Sequence, residues 1–286
     1  MKKFFLITNA GKDPDFSYAG RLAEYIRTKG GEASFLKLDG LAEDYRMRLL
    51  EAIPKDTEGI LVIGGDGTLI KAARDTGERQ IPMLGINLGK LGYLCELDDQ
   101  NVWQAIDQLM EDRFTIEERM MISAHVERNG LVIRENTALN DVVIHRSGKL
   151  HVISFEVDVS GRHLSSYVAD GIIIATPTGS TAYNMSAGGP IVEPEARMIV
   201  LTPINSHDLN RHSIVLDRKA ELSIRIRGGR FSSDASIDVS FDGMDSVSLQ
   251  ADDIIYIRQA DTSTKIIRLS QISFIEILQK KMQRYN

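Results

Sequence analysis

The stretch Ile60-Leu-Val-Ile-Gly-Gly-Asp-Gly-Thr-Leu-Ile70 sets the tightest limits on how this chain folds. Ile60–Ile63 is a run of apolar, mostly branched residues and reads as a buried strand. Gly64, Gly65 and Gly67 break it, and Thr68–Arg74 continues as an apolar, Ala-bearing helix. Strand, glycine turn and helix in that order aim backbone N–H groups at an anion lying on the helix N-terminus. The three glycines let main chain approach a phosphate without side chains in the way. Asp66 stands among them, although a carboxylate repels phosphate. Two chemistries account for it: the carboxylate binds a metal carried by the phosphates, or it handles the proton of an attacking hydroxyl. A plain tight turn that happens to hold Asp is the alternative. Two other phosphate motifs fail on spacing. Gly85–Lys90 has the glycines and lysine of a P-loop, but Leu91 follows where Ser or Thr is required, and Leu69-Ile70 stand where a dinucleotide fingerprint needs its last glycine.

Around this stretch the first part of the chain alternates. Phe4–Ile7 reads as a strand, Phe16–Lys29 as a helix ending at Gly30-Gly31, Ala33–Leu38 as a strand and Tyr45–Ile53 as a helix before Pro54. Ile81–Asn87 is the next strand and Val102–Arg113 the next helix. Such alternation predicts parallel βαβ units, a Rossmann-like α/β domain whose ligands sit at the C-terminal ends of the strands, where Gly64–Gly67 falls. Past Ile116 the texture changes to short Val- and Ile-rich runs. Met121–Glu127 and Leu131–Asn136 flank Asn129-Gly130, a hairpin signal. Val142–His145, Val152–Val159, Gly171–Thr176, Ile199–Thr202, Ser213–Leu216, Glu221–Ile226, Ile237–Phe241 and Ile254–Arg258 follow. They predict a β-sandwich. The expected division is 1–118 for the α/β domain, 119–265 for the sandwich, and 266–286 for a tail packing back on the first domain.

At 286 residues, with 43% hydrophobic and 26% charged residues, the chain is long enough for two cores. A net charge of −6 argues against a nucleic-acid partner held by bulk positive charge, though not against one nucleotide in a local pocket. The single Cys95 excludes a disulfide framework and a cysteine metal cluster. Phe4–Ile7 is too short for an export signal, which needs roughly 7–15 apolar residues, and no run reaches the ~18 of a membrane span. A cytoplasmic protein with no membrane partner is expected.

A second unusual stretch runs from Asp170 to Pro190. It opens as a strand and becomes dense in hydroxyls: Thr176, Thr178, Ser180, Thr181 and Ser186, with Tyr183 as one flat ring. Such a segment can hydrogen-bond the edge of a nucleobase and stack on its face; a polar loop with an N-capping Ser or Thr is the alternative. A loop this long inside a β domain tends to be functional. Between the two stretches, Asn140-Asp141 marks either an Asx-type turn or a clasp for a ribose diol.

Gly-Gly-Asp-Gly at 64–67, Asn-Asp at 140–141 and Asp170-Gly…Thr-Pro-Thr-Gly-Ser-Thr-Ala-Tyr-Asn…Gly-Gly-Pro-Ile at 170–191 resemble three blocks of the NAD kinase family, in the family's order. Gly85–Leu94 is similar as well, so the likeness spans nearly the whole chain. The glycine turn is shared with 6-phosphofructokinases and diacylglycerol-type lipid kinases; the block at 170–191 is the specific one. The resemblance implies transfer of the γ-phosphoryl of ATP, or of polyphosphate, to the 2′-hydroxyl of the adenosine ribose of NAD, making NADP. It also implies a divalent cation such as Mg²⁺, an α/β domain followed by a β-sandwich with NAD held between them, and a homodimer or homotetramer.

Carried over by position, the resemblance makes Asp66 the proton acceptor. Gly64, Gly65 and Gly67, with Lys71, face phosphate. Asn140 and Asp141 hold NAD through ribose, and Asp170 lies near its nicotinamide half. Thr181, Ala182 and Ser186 are expected to hold the adenine with Tyr183 beside it, and Thr178, Asn184 and His151 are further cofactor-binding candidates. No metal ligands stand out, so the cation is expected to arrive on the donor's phosphates. Two positions depart from the family: Val168 stands where members often carry Arg, and Met244 where many carry Gln. Arg162, His163 and Lys149 are candidates to supply the missing charge. The rival readings are a lipid or sugar kinase with the same glycine turn, and a nucleotide sensor without turnover.

Overall fold

In the computed structural model, residues 1–36, 45–88, 92–95, 97–148, 151–207, 211–228, 236–269 and 272–283 are described. The chain divides into two compact units, Met1–Glu118 with Ser263–Asn286, and Arg119–Thr262. Lys149, Lys90 and part of the expected strand Ala33–Leu38 lie outside the described residues.

The first unit is built on β1 (Lys3–Thr8), α1 (Ser17–Thr28), β2 (Glu32–Phe35), α2 (Tyr45–Ala52), β3 (Gly59–Gly64), α3 (Asp66–Thr76), β4 (Met83–Asn87) and α4 (Val102–Met110). Its strands are parallel in the order β2-β1-β3-β4, and Ile266 of a later strand pairs in parallel with Met83. Ile60 to Ile63 are completely buried, because helices cover both faces of a parallel sheet. By strand alternation Leu61 and Ile63 face one side, where they share a core with Leu22 and Ile26 of α1 and Val102 and Ile106 of α4. Burying each such side chain contributes about 1.5–3 kcal/mol. β3 stops where Gly64 meets Thr68: a Cβ on Gly64 would lie 2.3 Å from the Thr68 hydroxyl. The helix after the turn begins earlier than expected, at Asp66 rather than Thr68, so Asp66 occupies its first turn.

The second unit contains β5 (Thr115–Arg128, from its residue 119 onward), β6 (Leu131–Ala138), β7 (Asp141–Ser147), β8 (Ile153–Val159), β9 (Arg162–Ala169), β10 (Gly171–Ala175), the short helix α5 (Tyr183–Ser186), β11 (Met198–Ile204), β12 (Ile214–Asp217), β13 (Leu222–Arg227), β14 (Ser236–Phe241), β15 (Asp245–Leu249) and most of β16 (Ile254–Arg268). Helix α6 (Phe274–Met282), in the first unit, opens with a complete Ser273–Glu276 capping box. One antiparallel sheet of the second unit has the order β12-β11-β10-β7-β14-β15. Strands β16, β13, β8 and β9 pair antiparallel in the other, to which the β5–β6 hairpin also belongs. Ile144, Ile172, Ile174 and Leu201 face a common core with Phe155, Tyr167, Ile224 and Ile255. Two strands were not expected. β9 is too polar along its exposed side to show clear alternation, and β15 is a short partner to β14 across Asp242-Gly243, both at positive φ (52° and 66°) in the tight hairpin turn.

The far face of the β12–β15 sheet is also covered. Val143, Ile173, Ala175, Val200 and Ile204 form a second small core with Ala187 and Val192 from the loop after β10. That loop therefore packs as a lid on the sheet, which explains why β10 reads as an unbroken apolar run in an antiparallel setting.

Candidate functional site

In the first unit the glycine turn adjoins a cavity of about 380 Å³, lined by Asn9 and Gly11 after β1, by Gly67, Thr68 and Lys71 of α3, and by Tyr45 of α2. Asn9 ties the two loops together: its N–H donates to Ile63 O (3.0 Å) and its side-chain amide to Thr68 Oγ1 (3.2 Å). Lys71 lines this cavity, but its ammonium is held by Asp75 (2.7 Å) and lies 4.3 Å from the centre of the Tyr45 ring.

Asp66 is held more firmly than the sequence suggests. Its Oδ2 accepts from the N–H of Tyr93 (2.6 Å) and its Oδ1 from those of Leu94 (3.2 Å) and Cys95 (3.0 Å). Gly92 packs directly on the carboxylate; a Cβ there would stand 1.8 Å from Oδ1. The glycine of the Gly85–Leu94 stretch is thus needed for close approach rather than for an unusual φ. Three amides use most of a carboxylate's roughly four lone-pair sites, and about one remains for a hydroxyl proton. The buried Cys95 thiol is pushed above its ordinary range, first by burial and then by the Asp66 charge.

In the second unit a cavity of about 550 Å³ opens on the outer face of the β12–β15 sheet. Asp141, Val143 and His145 line it from alternate positions of β7, Ser240 from β14 and Ile204 from β11. Asn140, Asp170, Ala182 and Tyr183 of the expected residues also line it, with Tyr183 46% exposed and its ring free to meet a ligand. Asp141 is almost fully buried, and no described residue donates to its carboxylate. Burial, then the nearby Asp242 charge, pushes Asp141 up to about 7.

The Asn140-Asp141 segment owes its shape to Asp242, which the sequence reading missed. The Asp242 carboxylate accepts from the N–H of Leu139 (2.9 Å), Asn140 (2.7 Å) and Asp141 (3.1 Å). From the other side Thr176 binds Leu139 O through its hydroxyl (2.5 Å) and Asn140 O through its N–H (2.8 Å). Gly179 lies flat on Asn140; a Cβ there would stand 2.0 Å from the Asn140 carbonyl oxygen. Gly179→Ala is expected to cost about 1–3 kcal/mol, since both contacting groups are backbone and cannot swing away. Thermal melting checks this; a variant as stable as the parent counts against the packing.

The second missed residue is Arg146. It donates to Asp170 Oδ1 at 2.7 Å and lines the cavity, while Asn205 donates to Asp170 Oδ2 at 2.9 Å. These bonds, the Arg146 one first, hold the Asp170 carboxyl below its usual range. Arg146 is the arginine among the described residues that line this cavity. Arg162 and His163 are exposed at the start of β9, with His163 on Asp158 (3.1 Å), and neither they nor Val168 lines the cavity. The pairing of β7 with β10 brings Arg146 beside Asp170, and no local signal in the sequence announces that register.

Other expected residues fall elsewhere. Asn184 is fully buried and works as a clamp: its amide donates to Ser180 O (3.2 Å) and Pro190 O (3.0 Å), and its Oδ1 accepts from Thr202 (2.7 Å). Thr178 is buried against Arg119 (3.4 Å). The Thr181 hydroxyl turns back to Thr178 O (3.3 Å), and Ser186 is exposed at the end of α5. His151 is exposed in the loop before β8, away from the lining of the cavity. Met244 is exposed beside the Asp242-Gly243 turn. No group of three His, Cys, Asp or Glu side chains among the described residues stands close enough to hold a metal ion, and no described helix is long and apolar enough to cross a membrane.

A glycine turn opening a helix over a parallel sheet, followed by a sandwich with an acidic, aromatic-edged cavity, defines a nucleotide-handling phosphotransferase of two units. Family models agree and sharpen this: the ATP-NAD kinase N-terminal domain matches residues 8–114 and the ATP-NAD kinase C-terminal domain residues 139–269. The chain is 48% identical to the NAD kinase of Agathobacter rectalis over 286 residues, covering 100% of both chains, and 38% identical to that of Lachnospira eligens, covering 99% of this chain and 100% of the other. In fold it is similar to yeast NADH kinase complexed with NADH (TM-score 0.83, 20% identity, 99% of this chain and 88% of that one). It is similar as well to an Archaeoglobus fulgidus NAD kinase in complex with ATP (TM-score 0.76, 21% identity, 98% of each). The chain belongs to the ATP-NAD kinase family.

Proposed function

We propose that the cavity of the second unit holds NAD and that the glycine turn of the first holds the phosphates of ATP, so that the γ-phosphoryl passes to the 2′-hydroxyl of the adenosine ribose. The observation that carries this is Asp141: a buried carboxylate with no described donor, lining a cavity beside a backbone shaped by Asp242. A carboxylate in that state takes hydroxyl donors, and a ribose diol supplies a pair of them. Asn140 adds an amide at the same edge, Tyr183 an exposed ring for a flat base, and Arg146 a guanidinium that Asp170 orients and a pyrophosphate can share. Lys71 lines the neighbouring cavity from α3 with its ammonium on Asp75, and Mg²⁺ travels with the donor's phosphates as part of the substrate. Neighbours of the same fold complexed with NADH and with ATP support these two substrate classes. The reading extends to a homodimer or homotetramer in the cytoplasm, which sedimentation and fractionation check.

The test mixes the purified protein with NAD, ATP and Mg²⁺ and follows NADP through an NADP-specific dehydrogenase. Wild type is expected to turn over, and Arg146→Ala to raise the KM for NAD about tenfold with a smaller change in kcat. A KM for NAD that stays put in Arg146→Ala removes that residue from the site. Absence of NADP with ATP, alongside NADP made from polyphosphate, changes the donor.

A further inference from the structure

The loop after β1 carries a second cation beside the glycine turn, Lys12. Lys12 sits on a turn fixed at both ends. At its start Asn9 is tied to β3 and α3, Gly11 N–H closes onto Asn9 Oδ1 (2.8 Å), and the N–H groups of Lys12 and Asp13 both bind Asn9 O (2.9 Å each). At its end the buried Asp13 accepts from the N–H of Tyr18 and Ala19 (3.0 Å each) and from the Thr8 hydroxyl (3.3 Å), which caps α1.

Between these anchors the Lys12 ammonium reaches the glycine turn and donates to Gly64 O at 3.1 Å. The same nitrogen stands 3.2 Å from where a Cβ on Gly65 would be. An ammonium has three donors, and this bond uses one. No carboxylate among the described residues pairs with Lys12. Lys71, the other cation near the turn, is committed to Asp75 and the Tyr45 ring. A donor's phosphate chain arriving where Asp66 already places a negative charge needs a cation that is both fixed and unspent.

We propose that Lys12 is a phosphate-binding residue of this reaction, the cation that meets the donor's polyphosphate chain at the glycine turn. The inference rests on the donor-site reading above. The lysine is held in place before the ligand arrives by a loop with two anchors, so little ordering is left to do on binding.

The experiment titrates wild type, Lys12→Met, Lys12→Arg and Lys71→Met with magnesium ATP and with magnesium tripolyphosphate by calorimetry. Lys12→Met is expected to weaken both ligands by the same factor, about 10–100-fold. It also makes the salt dependence of binding shallower, while the melting temperature stays with wild type and Lys12→Arg recovers part of the loss. A structural role alone leaves the salt slope unchanged. Equal tripolyphosphate binding in wild type and Lys12→Met overturns the proposal, as does a larger loss in Lys71→Met. If Lys12→Met melts early, Lys12→Gln is scored by the same two outcomes. Wild type that makes NADP from ATP while Lys12→Met matches it defeats only the lysine's role; wild type that binds neither probe defeats the donor-site reading with it.

Discussion

Asp66→Asn is expected to lower NADP formation by about 10²–10⁴-fold, the range for loss of a positioned proton acceptor. It should also loosen the turn at 92–95. A free aspartate ionises near ~3.9, far too weak a base to strip a ribose hydroxyl before attack. In a loose phosphoryl-transfer transition state base strength matters only late, so the role expected of Asp66 is to orient the hydroxyl and take its proton as the new P–O bond forms. The same carboxylate accepts from the amides of Tyr93, Leu94 and Cys95. Asn keeps one acceptor oxygen and turns an NH₂ toward those donors, leaving at least one amide unsatisfied at a cost of about 1–3 kcal/mol. Two readouts separate the roles. Turnover within threefold of wild type would sink the acceptor role, with NAD binding followed by calorimetry alongside. Unchanged hydrogen exchange at the amides of residues 93–95 would sink the anchoring role.

NAD affinity is expected to fall as pH drops from 8 to 6, because Asp141 titrates at about 7 and only its ionised form accepts both ribose hydroxyls. Asp141→Asn should flatten that profile and weaken NAD by about 10–100-fold at pH 8. Stability moves the other way. The folded-state value lies above the unfolded value, so the native protein holds this proton more tightly than the unfolded chain does. Wild type therefore loses stability from this group as pH rises from about 4 to 7, and little further above that. The Asn variant escapes the loss and should be more stable than wild type at pH 8, by on the order of 2 kcal/mol. Urea titrations of both proteins at pH 5 and pH 8 check the sign. An Asn variant no more stable at pH 8 than at pH 5, relative to wild type, contradicts the buried-charge account.

The sequence by itself determined the fold class and the motifs that carry the candidate residues of each unit. Ile60–Ile63 followed by three glycines admits little besides a buried parallel strand feeding a helix, since period, burial and turn chemistry agree there. The short Val- and Ile-rich runs past residue 116 forced an antiparallel sandwich for the same reason. Asn140, Asp141, Asp170, Ala182 and Tyr183 were legible because each lies inside a short contiguous motif, and all of them line the cavity. Only the tertiary structure decided what supports and tunes those motifs. Asp242 reaches Asn140 across about a hundred positions of chain, Arg146 meets Asp170 through sheet register, and Lys12 meets Gly64 through a loop from another strand. Asn184 and Thr178 belong to the same polar, hydroxyl-rich segment as Ala182 and Tyr183, yet their side chains are buried, Asn184 on Thr202 and Thr178 on Arg119. Local sequence fixes which groups are present and how the nearby backbone bends. The partner each group finds depends on long-range pairing, and that is set by burial of the whole sheet rather than by any segment of it.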